Sequence, residues 1–198
     1  MYPESIKNLI ESFKYLPGIG QKTAERLAFS VLDFEEEQVS LFSDSLLDVH
    51  TKIHKCSNCN GFTENDICDI CNDESRSKNI LCVVDDAKTI FTFEGMNVFK
   101  GRYHVLEGLI SPIEGVNPED IGLPKLIERI KSQNFDEIVF AFKPTIEGET
   151  TSLYIKKIIG DMSIKITKLA SGIPMGVDIE YIDSLTLERA LFDRKEIE

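Results

Sequence analysis

Apolar residues recur at Ile6, Leu9, Ile10 and Phe13, and again at Ala24, Leu27, Ala28 and Val31, each set at the three- and four-residue offsets that line one face of a helix. Between them stands LPGIG, Leu16 to Gly20, whose proline and two glycines interrupt both patterns, so the segment predicts a helical hairpin. Asp33 with Glu36 three residues later has the spacing of a capping box, and Phe42, Leu46, Val49 and Ile53 mark one face of a third helix. To about His54 the chain is expected to be all helical.

From Lys55 to about Asn79 the apolar content collapses into Cys, Asn, Asp, Ser and Lys, so this stretch buries little and needs another source of order. The pattern then changes. ILCVVD (Ile80 to Asp85) reads as a strand before a helix reaching Phe93; EIVFAF (Glu137 to Phe142) follows the helical LIERI; a further helix runs through Leu153, Ile155 and Ile158 before IKITKLA (Ile164 to Ala170). Short apolar strands alternating with helices predict a parallel α/β sheet covered on both faces. Asp183 or Ser184 is placed to cap a short last helix through Leu191, leaving a charged tail.

Composition narrows the chemistry. With 198 residues and 42% hydrophobic content there is material for a core in one or two compact units, and the net charge of −12 argues against a surface coated for polyanions. Any nucleic-acid contact must be local. No apolar run approaches the roughly 20 residues that cross a bilayer, and Glu4 and Glu11 stand where a signal peptide is apolar, so the cytoplasm is the expected location, with no membrane contact.

Four of the five cysteines lie within sixteen residues, as Cys56, Cys59, Cys68 and Cys71 in the spacing C-x2-C-x8-C-x2-C. Two such knuckles bring four thiolates to one tetrahedral centre, which fits Zn²⁺; an all-thiolate shell leaves no open position, so one structural zinc per chain is expected. An iron–sulfur centre, two disulfides or unliganded thiols are the competing readings. His50 and His54 are assigned to the helix surface, since four cysteines complete the shell, and Cys82 to the core of its strand.

A helix start offers unpaired N–H groups and the positive end of a dipole, which together seat a phosphate. Gly18 and Gly20 are expected to turn the chain with positive φ and to leave room for a bulky ligand, while Lys22 and Arg26, one turn apart on the next helix, add charge, with Lys14 a further candidate. A glycine turn between helices is also an ordinary structural connector. LPGIGQKTAERLA, however, is closely similar to the helix-hairpin-helix motif of DNA-repair proteins, which implies contact with backbone phosphates and no sequence preference.

In order along the chain, LPGIGQKTAERLAFSVL, the four-cysteine knuckle, LCVVDD, SPIEGVNPEDIG, KPTIEGETTSLYI and LASGIPMGVDIEYIDSLTLERAL resemble the RecR family of bacterial recombination mediators. The resemblance implies an α+β, multi-module chain: a helix-hairpin-helix DNA-binding module (residues 1–54), a small four-cysteine zinc finger (55–79), an α/β Toprim domain with a parallel sheet (80–174) and a C-terminal helical segment (175–198). It further implies a homo-oligomer, expected as a tetrameric ring, that binds single- and double-stranded DNA and works with RecO and RecF to promote RecA loading at single-stranded gaps, in the bacterial cytoplasm near the nucleoid.

Catalytic Toprim enzymes carry a Glu after the first strand and a later DxD pair that hold Mg²⁺. Here Asp85 or Asp86 stands at the first position and Glu147-Gly148-Glu149 at the second, while Tyr103, Tyr154 and Tyr181 sit in no recognisable nucleophile motif. A non-enzymatic role is expected. Glu147 and Glu149 are then read as a solvated acidic loop opening a helix or, with Asp85, as a docking surface for a cationic partner such as RecO; Mg²⁺-dependent phosphoryl transfer through Asp85, Glu147 and Glu149 is the alternative function.

Overall fold

In the computed structural model, residues 2–160, 162–170, 172–194 and 196 are described, and the chain divides into two units, Met1–Ile53 and His54–Glu198. In the first, α1 (Glu4–Lys14) and α2 (Gln21–Ser30) pack through buried Ile10, Ala24 and Ala28, with Ile6, Leu9, Phe13 and Ile19 around them. The two alanines keep the contact face of α2 small, which lets the helices approach closely.

The exit from α2 departs from the expected cap. Val31–Asp33 continues as a 3-10 turn, so Asp33 is inside a helical turn, and the N-cap of α3 (Glu36–Lys52) is Glu35, held in extended conformation at φ −67°, ψ 154°. The Glu35 N–H donates to Gln38 Oε1 at 2.9 Å, placing the capping box two residues later than Asp33 and Glu36. The predicted face of α3 exists, but this chain leaves Phe42, Leu46 and Val49 exposed.

The second unit begins with a short antiparallel ribbon, β1 (His54–Lys55) with β2 (Phe62–Thr63), followed by the one-turn helix α4 (Asp69–Asn72). Beyond it lies an all-parallel sheet in the order β4 (Arg102–Val105), β3 (Ile80–Val84), β5 (Glu137–Ala141), β6 (Lys165–Lys168). Strand alternation sorts the core into two layers. Leu81, Val83, Ile138 and Phe140 meet α6 (Leu123–Ser132) and α7 (Ile146–Ile159) on one face; Cys82, Val84, Tyr103, Val105 and Ala141 meet α5 (Lys88–Met96) on the other, where Ile70 of the knuckle also packs. Cys82 is therefore a core residue, and burial pushes its thiol up to about 12.

Strand β4 is absent from the sequence expectation because Arg-Tyr-His-Val shows no apolar alternation, yet all four residues are buried. It lies at one end of the sheet order, and the cysteine-rich segment closes it: the Val105 N–H donates to the Cys59 carbonyl at 2.8 Å, and Asn60 Nδ2 donates to the Val105 carbonyl at 3.3 Å. The outward backbone groups of Val105, at the end of this edge strand, are thus paired. The last helix, α8 (Ser184–Phe192), starts at Asp183, whose Oδ1 accepts the Thr186 N–H at 2.9 Å. The charged tail beyond it falls partly outside the described residues.

Candidate metal centre and nucleic-acid interface

The β1–β2 ribbon delivers Cys56 and Cys59, and the start and body of α4 deliver Cys68 and Cys71. Asn60, at φ 67°, makes the tight turn of the first knuckle. All four Sγ atoms lie within 4.8 Å of one another, and Cys59 and Cys68 are 3.6 Å apart. Tetrahedral zinc with its usual sulfur bonds separates ligand sulfurs by about 3.8 Å, so the cluster has the right dimensions. The Gly61 N–H donates to Cys59 Sγ at 3.4 Å and the Cys68 N–H to Cys56 Sγ at 3.3 Å, bonds that favour thiolates. Without an ion the sulfurs compete for protons: hydrogen bonding to Cys68 and Cys71, with burial, drives the Cys59 thiol above its ordinary range.

Neither histidine joins this group. His50 lies on α3, but His54 is in β1 and not on the helix, because α3 ends at Lys52; its Nε2 sits 3.1 Å from the Asn65 carbonyl. Sequence patterning also carries no sign of Arg102, whose guanidinium donates to the carbonyls of Ile70 and Asp73 on either side of Cys71.

At the bend of the hairpin the glycines differ. Gly18 has φ +80°, a left-handed conformation that disfavours side chains, whereas Gly20 is the N-cap of α2 at φ −86°, so the expected positive φ holds for Gly18 alone. A Cβ built on Gly20 meets nothing within 4 Å. No side chain caps α2 and its first turn contains no acid. The first intrahelical bond runs from the Ala24 N–H to the Gly20 carbonyl at 2.9 Å, leaving the amides of Gln21, Lys22 and Thr23 at the open end.

Lys22 and Arg26 are exposed, and neither forms an ion pair among the described residues. Lys14 differs: its Nζ is 2.8 Å from Glu11 Oε2, one turn back on α1, so its charge is locally matched.

Three acidic candidates occupy separate settings in the α/β unit. Asp85, at the carboxyl end of β3, has a side chain only 6% exposed and faces Lys143 Nζ at 3.7 Å. Glu149 lies in the first turn of α7, 2.8 Å from Lys168 Nζ and also paired with Arg189 of α8; Lys168 above all, against the opposing effect of burial, holds its pKa below the usual range. Glu147 makes no ion pair among the described residues, and its pKa is lowered by its own backbone N–H and by Thr145. The three are not gathered into a common ligand group. Gly148 between the two glutamates is demanded by packing, since a Cβ there would lie 2.1 Å from the Lys143 carbonyl oxygen.

Four protein families match the chain in sequence order: the RecR helix-hairpin-helix over residues 6–50, the RecR four-cysteine zinc finger domain over 53–73, the Toprim domain over 79–170 and the RecR C-terminal region over 172–195. Among known proteins, the recombination protein RecR of Natranaerobius thermophilus is 46% identical over 196 residues, covering 99% of this chain and 98% of its own. That of Staphylococcus aureus (strain JH9) is 48% identical over 196 residues, covering 99% of each chain. With a four-cysteine zinc finger match over the segment that brings the four sulfurs together, the cluster is a structural zinc site.

Proposed function

The chain belongs to the RecR family of recombination proteins, and from that premise we propose that it is a non-enzymatic mediator of recombinational repair that grips DNA through the bend of its helical hairpin. The supporting observation is the open start of α2: Gly20 has an ordinary φ and empty space where a Cβ would sit, so nothing inside this chain requires a glycine there. Close approach of an external backbone does require one. A phosphate seated on the amides of Gln21, Lys22 and Thr23 is reinforced by Lys22 and Arg26, while Lys14 contributes less because Glu11 answers it.

Such contacts carry no base readout, so single- and double-stranded DNA are both bound without sequence preference. Each hairpin supplies few charges, and useful affinity then comes from several hairpins presented by a homo-oligomer, expected as a tetrameric ring. The exposed apolar face of α3 is consistent with assembly. In this reading the Toprim domain is a scaffold: Asp85 is neutralised by Lys143 and Glu149 by Lys168 and Arg189, leaving Glu147 the most available acid for a cationic partner such as RecO. RecF completes the set that promotes RecA loading at gaps, in the cytoplasm at the nucleoid. No helix among the described residues is long and apolar enough to cross a membrane.

The test is a DNA-binding titration of a Lys22→Ala/Arg26→Ala double variant at several salt concentrations. Binding weakens on every sequence, and the slope of log K against log salt becomes shallower by about one unit for each phosphate no longer neutralised, with zinc content and fold unchanged. An unaltered slope refutes the hairpin as the DNA-binding element. Nicking or primer synthesis that needs Mg²⁺ and vanishes in Glu147→Gln refutes the non-enzymatic role.

A further inference from the structure

A zinc ion held by four thiolates is a dianion, and a dianion buried in protein needs compensating charge nearby. Arg102 and Arg129 are each only 6% exposed, and among the described residues neither pairs with a carboxylate. Arginines are rarely buried so deeply without an anionic partner. Both line one cavity of about 400 Å³ together with the zinc ligand Cys71.

The hydrogen bonds fix Arg102 on the knuckle and Arg129 on the neighbouring strand β4. Arg102, on β4, donates to the Ile70 carbonyl and, at 2.7 Å, to the Asp73 carbonyl, so it clasps the turn that carries Cys71. Arg129, on α6, donates from Nη1 to the Tyr103 carbonyl at 2.7 Å and to His104 Nδ1 at 3.3 Å. Burial, followed by Arg129 and Lys125, pushes His104 down to about 3, so the imidazole is neutral and adds nothing to the charge count. Burial also lowers the Arg129 pKa, and the sulfurs of Cys71, Cys59 and Cys56 oppose that change.

We propose that Arg102 and Arg129 are positioning residues of the zinc centre, two buried cations that neutralise the zinc-tetrathiolate dianion from the β4 and α6 side. Lys78 lines the same cavity but is exposed, so water screens it; among buried groups the match is two positive charges against two negative. It explains why a sheet edge and a helix facing an apolar core each place an arginine there, and it couples zinc retention to the α/β sheet. The zinc site itself does not depend on the proposed DNA contact.

The charge match predicts an inversion that a packing role does not. With zinc bound, removing a cation leaves the dianion under-compensated; without zinc and with the thiols protonated, the same cation has no anion to answer and keeps only its bonds to Tyr103 and His104, against the cost of burying a lone charge. Full-length Arg129→Met and Arg129→Lys are compared with the unaltered chain by zinc release to a chromophoric chelator, and by thermal melting of zinc-loaded and zinc-stripped reduced protein.

Arg129→Met is expected to lose zinc affinity by roughly 10–100-fold, as removal of a partner one layer beyond the ligands commonly does. It should lower the melting temperature of the loaded protein while leaving that of the stripped protein equal or higher. Arg129→Lys should retain most of the affinity. Equal losses in both forms with zinc affinity within about twofold would overturn the proposal, as would a Lys variant as poor as the Met variant, which would assign the role to hydrogen-bond geometry. Inorganic phosphate raising the melting temperature of the loaded protein in an Arg129-dependent manner would overturn it too, by assigning the cations to an external anion. If the stripped chain does not fold, the release measurements on the Met and Lys variants decide alone.

Discussion

At Gly20 the usual reason for a glycine is missing: φ is −86° and the position of a Cβ is empty, so an aspartate fits without strain. Aspartate is among the best N-cap residues, and its carboxylate would satisfy the amides at the start of α2 and complement the helix dipole. Gly20→Asp is therefore expected to leave stability unchanged or raise it by up to about 1 kcal/mol, while abolishing DNA binding, because the phosphate seat is filled by an internal anion. A variant that melts no earlier yet fails to retard DNA separates ligand approach from folding; one that still binds places the contact elsewhere. Glu149 calls for the opposite treatment. Its pKa is lowered in the folded state, so the stability it contributes is present above the ordinary carboxylate value and is lost as pH falls through the lower folded value. Protection of the α8 amides, corrected for the intrinsic pH dependence of exchange, should fall in acid as Glu149 protonates and Arg189 loses its partner, and Glu149→Gln should reproduce the effect at neutral pH; with the side chain about one-third exposed, the destabilisation should stay under about 1 kcal/mol.

At the scale of elements, the zinc knuckle is a side wall of the sheet as well as a small module. Cys59 and Asn60 pair with Val105 along β4, and Ile70 packs into the layer beside Cys82 and Tyr103. Stripping the metal, or Cys59→Ser, is expected to melt the knuckle and uncover this edge. The measurable result is aggregation and a lower melting temperature of the α/β domain, reversible with Zn²⁺ for the stripped protein and not for the variant. This docking explains which strands can be read from sequence. ILCVV and EIVFA are legible as buried parallel strands because both faces are covered and every position is apolar or nearly so. Arg-Tyr-His-Val is illegible because its polar side chains are met by groups outside the strand: Arg102 by carbonyls in the knuckle, Tyr103 by Glu94 at 2.8 Å and the Nδ1 of His104 by Arg129. The cysteine spacing declares its ligands locally, whereas the two buried arginines become meaningful only once β4 and α6 are brought to the metal. The cap of α3 escapes residue pattern for a related reason, as capping depends on where the preceding 3-10 turn releases the chain and not on residue type alone.

For the molecule as a whole, a net charge of −12 sets the terms on which DNA can be held. One hairpin offers Lys22, Arg26 and a helix start, a set whose salt dependence cannot exceed about two counterion-releasing contacts. Long-range repulsion from the remaining acids opposes even that, and more strongly as salt is lowered. If binding proceeds by single hairpins, the slope of log K against log salt stays near two at every protein concentration. If several hairpins are presented together, the slope rises well above two where the protein is assembled and collapses toward two on dilution below the assembly constant, with affinity falling by the 10²–10⁴-fold that loss of multivalency brings. Light scattering run beside the titration supplies the assembly state at each concentration. A steep slope from a particle that remains monomeric would place further phosphate contacts outside the hairpin and refute the multivalent account, because a monomer has only one such bend to offer.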